Sequence, residues 1–109
     1  AVYVSGHGAR QLDSLPAPIT QLPKIRKAVG KSFPLIFDTG VRNGEDVVKA
    51  YASGANFVML GRPVLYALGA DGERGLKTIM NYISKEIQVT LAQIGLSKIS
   101  DVNETNLIR

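Results

Sequence analysis

Three short apolar runs, separated by two stretches of helical periodicity, constrain this chain most. "AVYVS" (1–5), "FPLIFD" (33–38) and "NFVML" (56–60) are rich in β-branched and aromatic residues, and each leads into glycine-containing sequence. Apolar residues at nearly every position predict strands buried on both faces, as in a parallel sheet. "TQLPKIRKAVG" predicts a helix with Pro23 in its first turn, Leu22, Ile25 and Val29 turned inward, and Gly30 as the stop. "NGEDVVKAYASG" places Glu45 and Asp46 in a first turn, where the helix dipole favours carboxylates, and ends at Gly54. "PVLYALG" reads as a short extra helix. From Gly72 to Ile94, apolar Leu76, Ile79, Met80, Ile83, Ile87, Leu91 and Ile94 recur at three- and four-residue spacing, forming a core-facing stripe on one long helix. The tail "SKISDVNETNLIR" predicts one short helical turn and an extended end.

The order βαβαβα is an α/β pattern with two architectures open to it: a Rossmann-like open sheet, or part of a (β/α)8 barrel. No G-x-G-x-x-G follows the first strand, which counts against the Rossmann form. A whole barrel takes about 250 residues, and this chain has 109. Its opening residues read as the middle of a strand, so the expectation is that earlier strands lie outside it.

Composition narrows the function classes. Thirteen basic and nine acidic residues give a net charge of +4. The bases are scattered (Lys24, Arg26, Lys27, Lys31, Lys49, Lys77, Lys85) rather than clustered among aromatics, which argues against a nucleic-acid groove. Without cysteine there is no disulfide framework and no thiolate metal site, which suits a cytoplasmic protein. A single histidine without companion ligands argues against a metal centre. No apolar run approaches the roughly 18 residues of a membrane span.

In both α/β architectures, ligands gather at the carboxyl ends of the strands. There the first run delivers Ser5-Gly6-His7-Gly8-Ala9-Arg10, the second Asp38-Thr39-Gly40-Val41-Arg42, and the third Gly61-Arg62-Pro63. Gly61 lets backbone approach a ligand, and Pro63 suits the first residue of a helix, so free N–H groups, the helix dipole and Arg62 make an anion site. Gly40 and Arg42 supply further N–H and guanidinium donors. Each motif alone is ordinary turn chemistry; on consecutive strands they match the phosphate site that barrels build after their last two strands. A lone histidine is more often structural than catalytic. Here His7 lies just past a strand end with Arg10 close by. An imidazole moves a proton near neutral pH, and a guanidinium holds a carboxylate through two hydrogen bonds. The pair suits proton removal next to a carboxylate, as in oxidation of a 2-hydroxy acid beside a phosphate-anchored cofactor.

At "VSGHGARQLD", "DTGVRNGEDVVKAYASGANFVMLGRPVLY" and the long final helix, the sequence resembles the FMN-dependent 2-hydroxy acid oxidases and dehydrogenases, over about 95 of the 109 residues. The first motif is the more specific. The second is shared with other phosphate-binding barrels of the inosine monophosphate dehydrogenase type. The resemblance implies an FMN-binding (β/α)8 TIM barrel of which residues 1–109 are strands six to eight with their helices. It also implies oxidation of a small L-2-hydroxy acid, with wording closest to lactate oxidase, in a homo-oligomer, a tetramer in this family, with membrane association only for a dehydrogenase member. By position, His7 is the active-site base, Arg10 binds the substrate carboxylate, and Ser5 approaches the flavin. Asp38, Thr39, Gly40, Val41 and Arg42 form one part of the FMN-phosphate loop, and Gly61 and Arg62 the other.

Two residues depart from the family's pattern: Gly6 stands where Asn is usual, and Thr39 where Gly or Ser is usual. The family's other catalytic groups come from earlier strands, and Tyr3, Tyr51, Tyr66 and Tyr82 do not match them. Were these residues the whole molecule, no turnover would be expected; an isolated barrel fragment, stable through self-association, is the non-enzymatic alternative.

Overall fold

The computed structural model describes residues 1–107. Strands β1 (Val2–Val4), β2 (Leu35–Phe37) and β3 (Phe57–Val58) form a parallel sheet in the order β1-β2-β3. Their register aligns Tyr3 with Ile36 and Ile36 with Phe57. Helix α1 (Pro18–Val29) joins the first two strands and α2 (Gly44–Ala52) the second and third; α3 (Arg62–Gln93) follows β3. The alternation is what near-continuous apolar strands and amphipathic connections dictate, because parallel neighbours need a crossover.

The core lies on one face only. Val4, Leu35 and Phe37 point to the helices and bury against Leu22, Val47 and Ala50. The expectation that all three strands are covered on both faces is not met. Tyr3 is 49% exposed, Phe57 63% and Met59 46%. Side chains alternate between faces along a strand, and in this chain helices cover only one of them.

Pro23 lies inside α1 rather than in its first turn, because the helix starts earlier, at Pro18. Pro18 holds the start of the helix, where its missing N–H costs nothing. Gly30 ends the helix with φ 80°. Asn43 caps α2, its side chain accepting from the Asp46 N–H at 2.9 Å. Glu86 of α3 accepts from the Gly44 N–H at 2.8 Å, so the two helices touch at the start of α2.

The predicted short helix and long helix appear as two segments of α3, broken where Asp71 and Gly72 leave helical geometry. Ile83 and Leu91 of the predicted stripe are buried, while Met80 and Ile94 are exposed. α3 packs mainly on α2, which is too narrow to cover a whole stripe. The tail forms two 3-10 turns, Ile99–Asp101 and Glu104–Asn106, where the sequence predicts one, and the predicted extended end at 108–109 lies outside the described residues. Each tail turn ties its own backbone locally, the second by a capping box on Asn103.

Candidate active site

The carboxyl ends of the three strands are laced together. The Asp38 N–H donates to Val4 O at 3.2 Å and the Met59 N–H to Phe37 O at 2.8 Å. The loop after β1 forms a tight turn over His7–Ala9, with the Ala9 N–H donating to Gly6 O. His7, Gly8 and Ala9 all have positive φ, at 50°, 67° and 59°. Thr39, after β2, has φ 76°. Left-handed conformations in residues other than glycine are uncommon, and they concentrate at functional sites.

The two predicted phosphate motifs meet. Asp38, Thr39, Gly40, Val41 and Arg42 line one concave space with Gly61, Arg62 and Pro63, of about 60 Å³. At roughly 30 Å³ per water, that space suits one small anion. Gly40, at φ 86°, and Gly61 present open backbone: a Cβ at either would meet nothing within 4 Å. Among the described residues, neither Gly40 nor Val41 donates its N–H to another backbone carbonyl. The first-turn N–H groups of a helix have no intrahelical partner; here the Val64 and Leu65 N–H groups turn back to Gly61 O, and the Arg62 N–H has no backbone partner among the described residues. Among the described residues, the Arg42 side chain has no hydrogen-bond partner, and Arg62 uses one nitrogen to donate to Gly8 O at 3.2 Å. Backbone donors, two cations and a helix N-terminus together fit a phosphate group.

Sequence reasoning missed two members of this site. Gly8 and Met59 line the same cavity. Tyr3 is joined to it as well: its hydroxyl donates to Asp38 Oδ2 at 2.7 Å. The signal was register, since Asp38 lies two residues past Ile36, the cross-strand partner of Tyr3, on the same face. The Asp38 carboxylate thus serves Tyr3 and the Thr39 hydroxyl, holding the loop while its neighbours face the cavity.

His7 and Arg10 are both exposed. Among the described residues neither side chain has a hydrogen-bond partner, and they are linked only through the Arg10 N–H to His7 O at 3.3 Å. Both stand exposed on a turn whose Ser5 hydroxyl accepts from the His7 N–H at 3.1 Å, and neither lines the small cavity. A second, broader and mostly apolar groove of about 710 Å³ runs from Ser5 and Gly6 under Leu12 and Leu15 to α1 and α2. It contains none of His7, Arg10, Arg42 and Arg62, so size alone does not mark the chemistry.

Tyr3 titrates above the ordinary tyrosine range, because its phenol hydrogen-bonds the Asp38 carboxylate, with smaller contributions from burial and from the nearby negative charge. The folded state therefore holds the phenol proton more tightly than the unfolded state. This contribution to stability is complete below the unfolded value of about 10 and is lost as pH rises through the folded value. An ultraviolet phenolate titration is expected to contain a component above the usual range that disappears in Tyr3→Phe.

A profile of the family described as FMN-dependent dehydrogenase matches residues 1–109. The 2-hydroxyacid oxidase of Dictyostelium discoideum is 44% identical over 104 residues, covering 95% of this chain and 27% of that protein. The solved structure of a Pediococcus acidilactici lactate oxidase superposes with a TM-score of 0.87 at 46% identity, over 92% of this chain and 28% of the other. A soluble mutant of the membrane-associated (S)-mandelate dehydrogenase from Pseudomonas putida superposes at 0.91 with 39% identity, over 95% and 29%. The chain thus spans less than a third of the proteins it matches. No helix among the described residues is long and apolar enough to cross a membrane. A matching profile over the whole chain, together with these relatives, places the protein in the FMN-dependent dehydrogenase family.

Proposed function

We propose that residues 1–109 are strands six to eight, with their helices, of one FMN-binding (β/α)8 barrel domain, and that the complete barrel oxidises a small L-2-hydroxy acid, L-lactate, to the 2-keto acid. The carrying observation is the small cavity in which the loops after β2 and β3 converge on open backbone N–H groups and two arginines. The uncovered sheet face, with Tyr3, Phe57 and Met59 exposed, supports a barrel whose interior other strands complete. The 46% identity with a lactate oxidase supports the substrate.

The N–H groups of Gly40, Val41 and Arg62 would hold the FMN phosphate, with the Arg42 and Arg62 guanidinium groups as charged partners. Ser5, the residue after β1, would approach the flavin. When bound, the flavin supplies a two-electron acceptor. Arg10 holds the substrate carboxylate by two parallel hydrogen bonds, which fixes the 2-carbon in place. His7, on the same turn, takes a proton from the substrate as it is oxidised. The glycines on either side of His7 leave room for substrate and flavin to approach.

Arg42→Ala and Arg62→Ala are each expected to weaken FMN binding by the complete enzyme. A charge-assisted hydrogen bond contributes about 1.5–3 kcal/mol, so the loss is roughly 10- to 100-fold. Riboflavin, which lacks the phosphate, should bind both variants as it binds the parent. Equal losses for FMN and riboflavin would remove the phosphate assignment. The 109-residue chain alone is expected to turn over no 2-hydroxy acid and to bind FMN more weakly than micromolar, because a barrel's remaining strands carry the rest of the flavin contacts. Fluorescence titration with FMN and an oxygen-consumption assay with L-lactate check both statements.

A further inference from the structure

We propose that Thr39 is a positioning residue for His7, and that its hydroxyl clamps the backbone N–H groups of the glycines on either side of that histidine. The inference rests on the reading of His7 as the base and goes beyond it. Thr39 Oγ1 accepts from the Gly6 N–H at 2.9 Å and from the Gly8 N–H at 3.3 Å, while donating to Asp38 Oδ1 at 2.9 Å. A hydroxyl has one proton and two lone pairs, and here all three are used. Because Asp38 takes the proton, both lone pairs are committed to Gly6 and Gly8. Asp38 is itself held by Tyr3 at 2.7 Å, so the clamp is anchored in the sheet.

Two observations say that the clamp is built against strain. Thr39 is β-branched and adopts φ 76°, a conformation such residues avoid. The turn it holds has three successive residues at positive φ, His7 among them. A glycine at position 39 would relieve the first without cost, so the hydroxyl is the reason for a threonine there. Gly6, the first glycine held, has its own reason to lack a side chain. A Cβ there would lie 2.8 Å from Pro18 Cγ, too close for the proline ring, while the Thr39 Cγ2 methyl at 3.4 Å would be in ordinary contact.

Thr39→Gly separates positioning from structure, because it removes the hydroxyl while suiting the backbone and keeping the fold. In the 109-residue chain, amide hydrogen exchange at Gly6 and Gly8 is expected to speed up at least tenfold in Thr39→Gly. The amides of Leu35 and Phe37 should be unchanged, and Thr39→Ser should keep the protection. At saturating FMN, Thr39→Gly is expected to lower kcat about tenfold with KM for the hydroxy acid nearly unchanged, and Thr39→Ser to recover kcat. Unchanged exchange at Gly6 and Gly8 overturns the clamp. Lost protection with kcat intact overturns the positioning role, as does a loss of FMN affinity in place of kcat. If His7→Gln retains rapid flavin reduction, the reading of His7 fails by itself, and the exchange measurement still reports on the clamp.

Discussion

Replacing His7 with glutamine in the FMN-loaded enzyme should slow flavin reduction by the hydroxy acid by a factor on the order of 10²–10⁴, the usual contribution of general acid–base catalysis. Bound FMN should be retained. Glutamine keeps the length and a hydrogen-bonding end but cannot take a proton near neutral pH. The fold should not change, since the His7 side chain is exposed and partnerless among the described residues. Its backbone bonds run through the N–H to Ser5 and the carbonyl to Arg10, and glutamine preserves both. Stopped-flow absorbance of the flavin measures the rate, and the visible spectrum before mixing reports occupancy. Rapid reduction by the variant would take His7 out of the mechanism.

A second large effect is expected far from the chemistry. Arg26→Ala should destabilise the fold by about 2–4 kcal/mol, out of the roughly 5–15 kcal/mol typical of a domain. The Arg26 guanidinium donates to the carbonyls of Gly30 at 2.6 Å, Phe33 at 2.7 Å and Gly54 at 2.8 and 2.9 Å. It also donates to Asn56 Oδ1 at 2.5 Å, and Asn56 in turn accepts from the Leu35 N–H at 2.9 Å. One side chain thus ties the end of α1, the approach to β2 and the turn before β3 at the amino ends of the strands. Gly54, at φ 108°, has no room for a Cβ against the Arg26 stem at 2.8 Å. The network is partly exposed, so water replaces some of the lost bonds and the cost stays well below their sum. A urea titration should show a lower midpoint with an unchanged slope. Arg26→Lys should recover only a minor part, because an ammonium cannot present the planar fork. An unchanged midpoint in Arg26→Ala would dismiss the network as ornamental.

These two residues mark the division of labour expected of a barrel strand, chemistry at its carboxyl end and stability at its amino end. Only the first was legible in the amino-acid order. His7 and Arg10 sit in a short motif after a strand, and Gly61-Arg62-Pro63 opens a helix, so position along the chain suffices to point at them. Arg26 lies on an ordinary amphipathic helix, and its partners at Gly54 and Asn56 are 28 and 30 residues away. Nothing local distinguishes it from the other scattered bases. Tyr3 was set aside for the same reason, since its partner Asp38 is 35 residues on and becomes visible only once β1 and β2 are in register.

The misjudged details have a common cause. Near-continuous apolar strands promised burial on both faces, yet Tyr3, Phe57 and Met59 are exposed, because burial depends on what packs against a strand as well as on what it is made of. Met80 and Ile94 show the same on α3, where the apolar stripe is wider than the surface of α2 that receives it.

By itself, the sequence determined the alternation of strands and helices, the strand ends on which the chemistry-bearing residues fall, and the family. Those follow from local periodicity and short motifs, which every residue carries with it. Only the tertiary structure decided that two separate loops close on one anion-sized cavity, that Arg26 binds the far end together, and that Thr39 holds the N–H groups of Gly6 and Gly8 around His7. Such contacts join residues about twenty to thirty positions apart, and their geometry exists only after the parallel sheet has set its register.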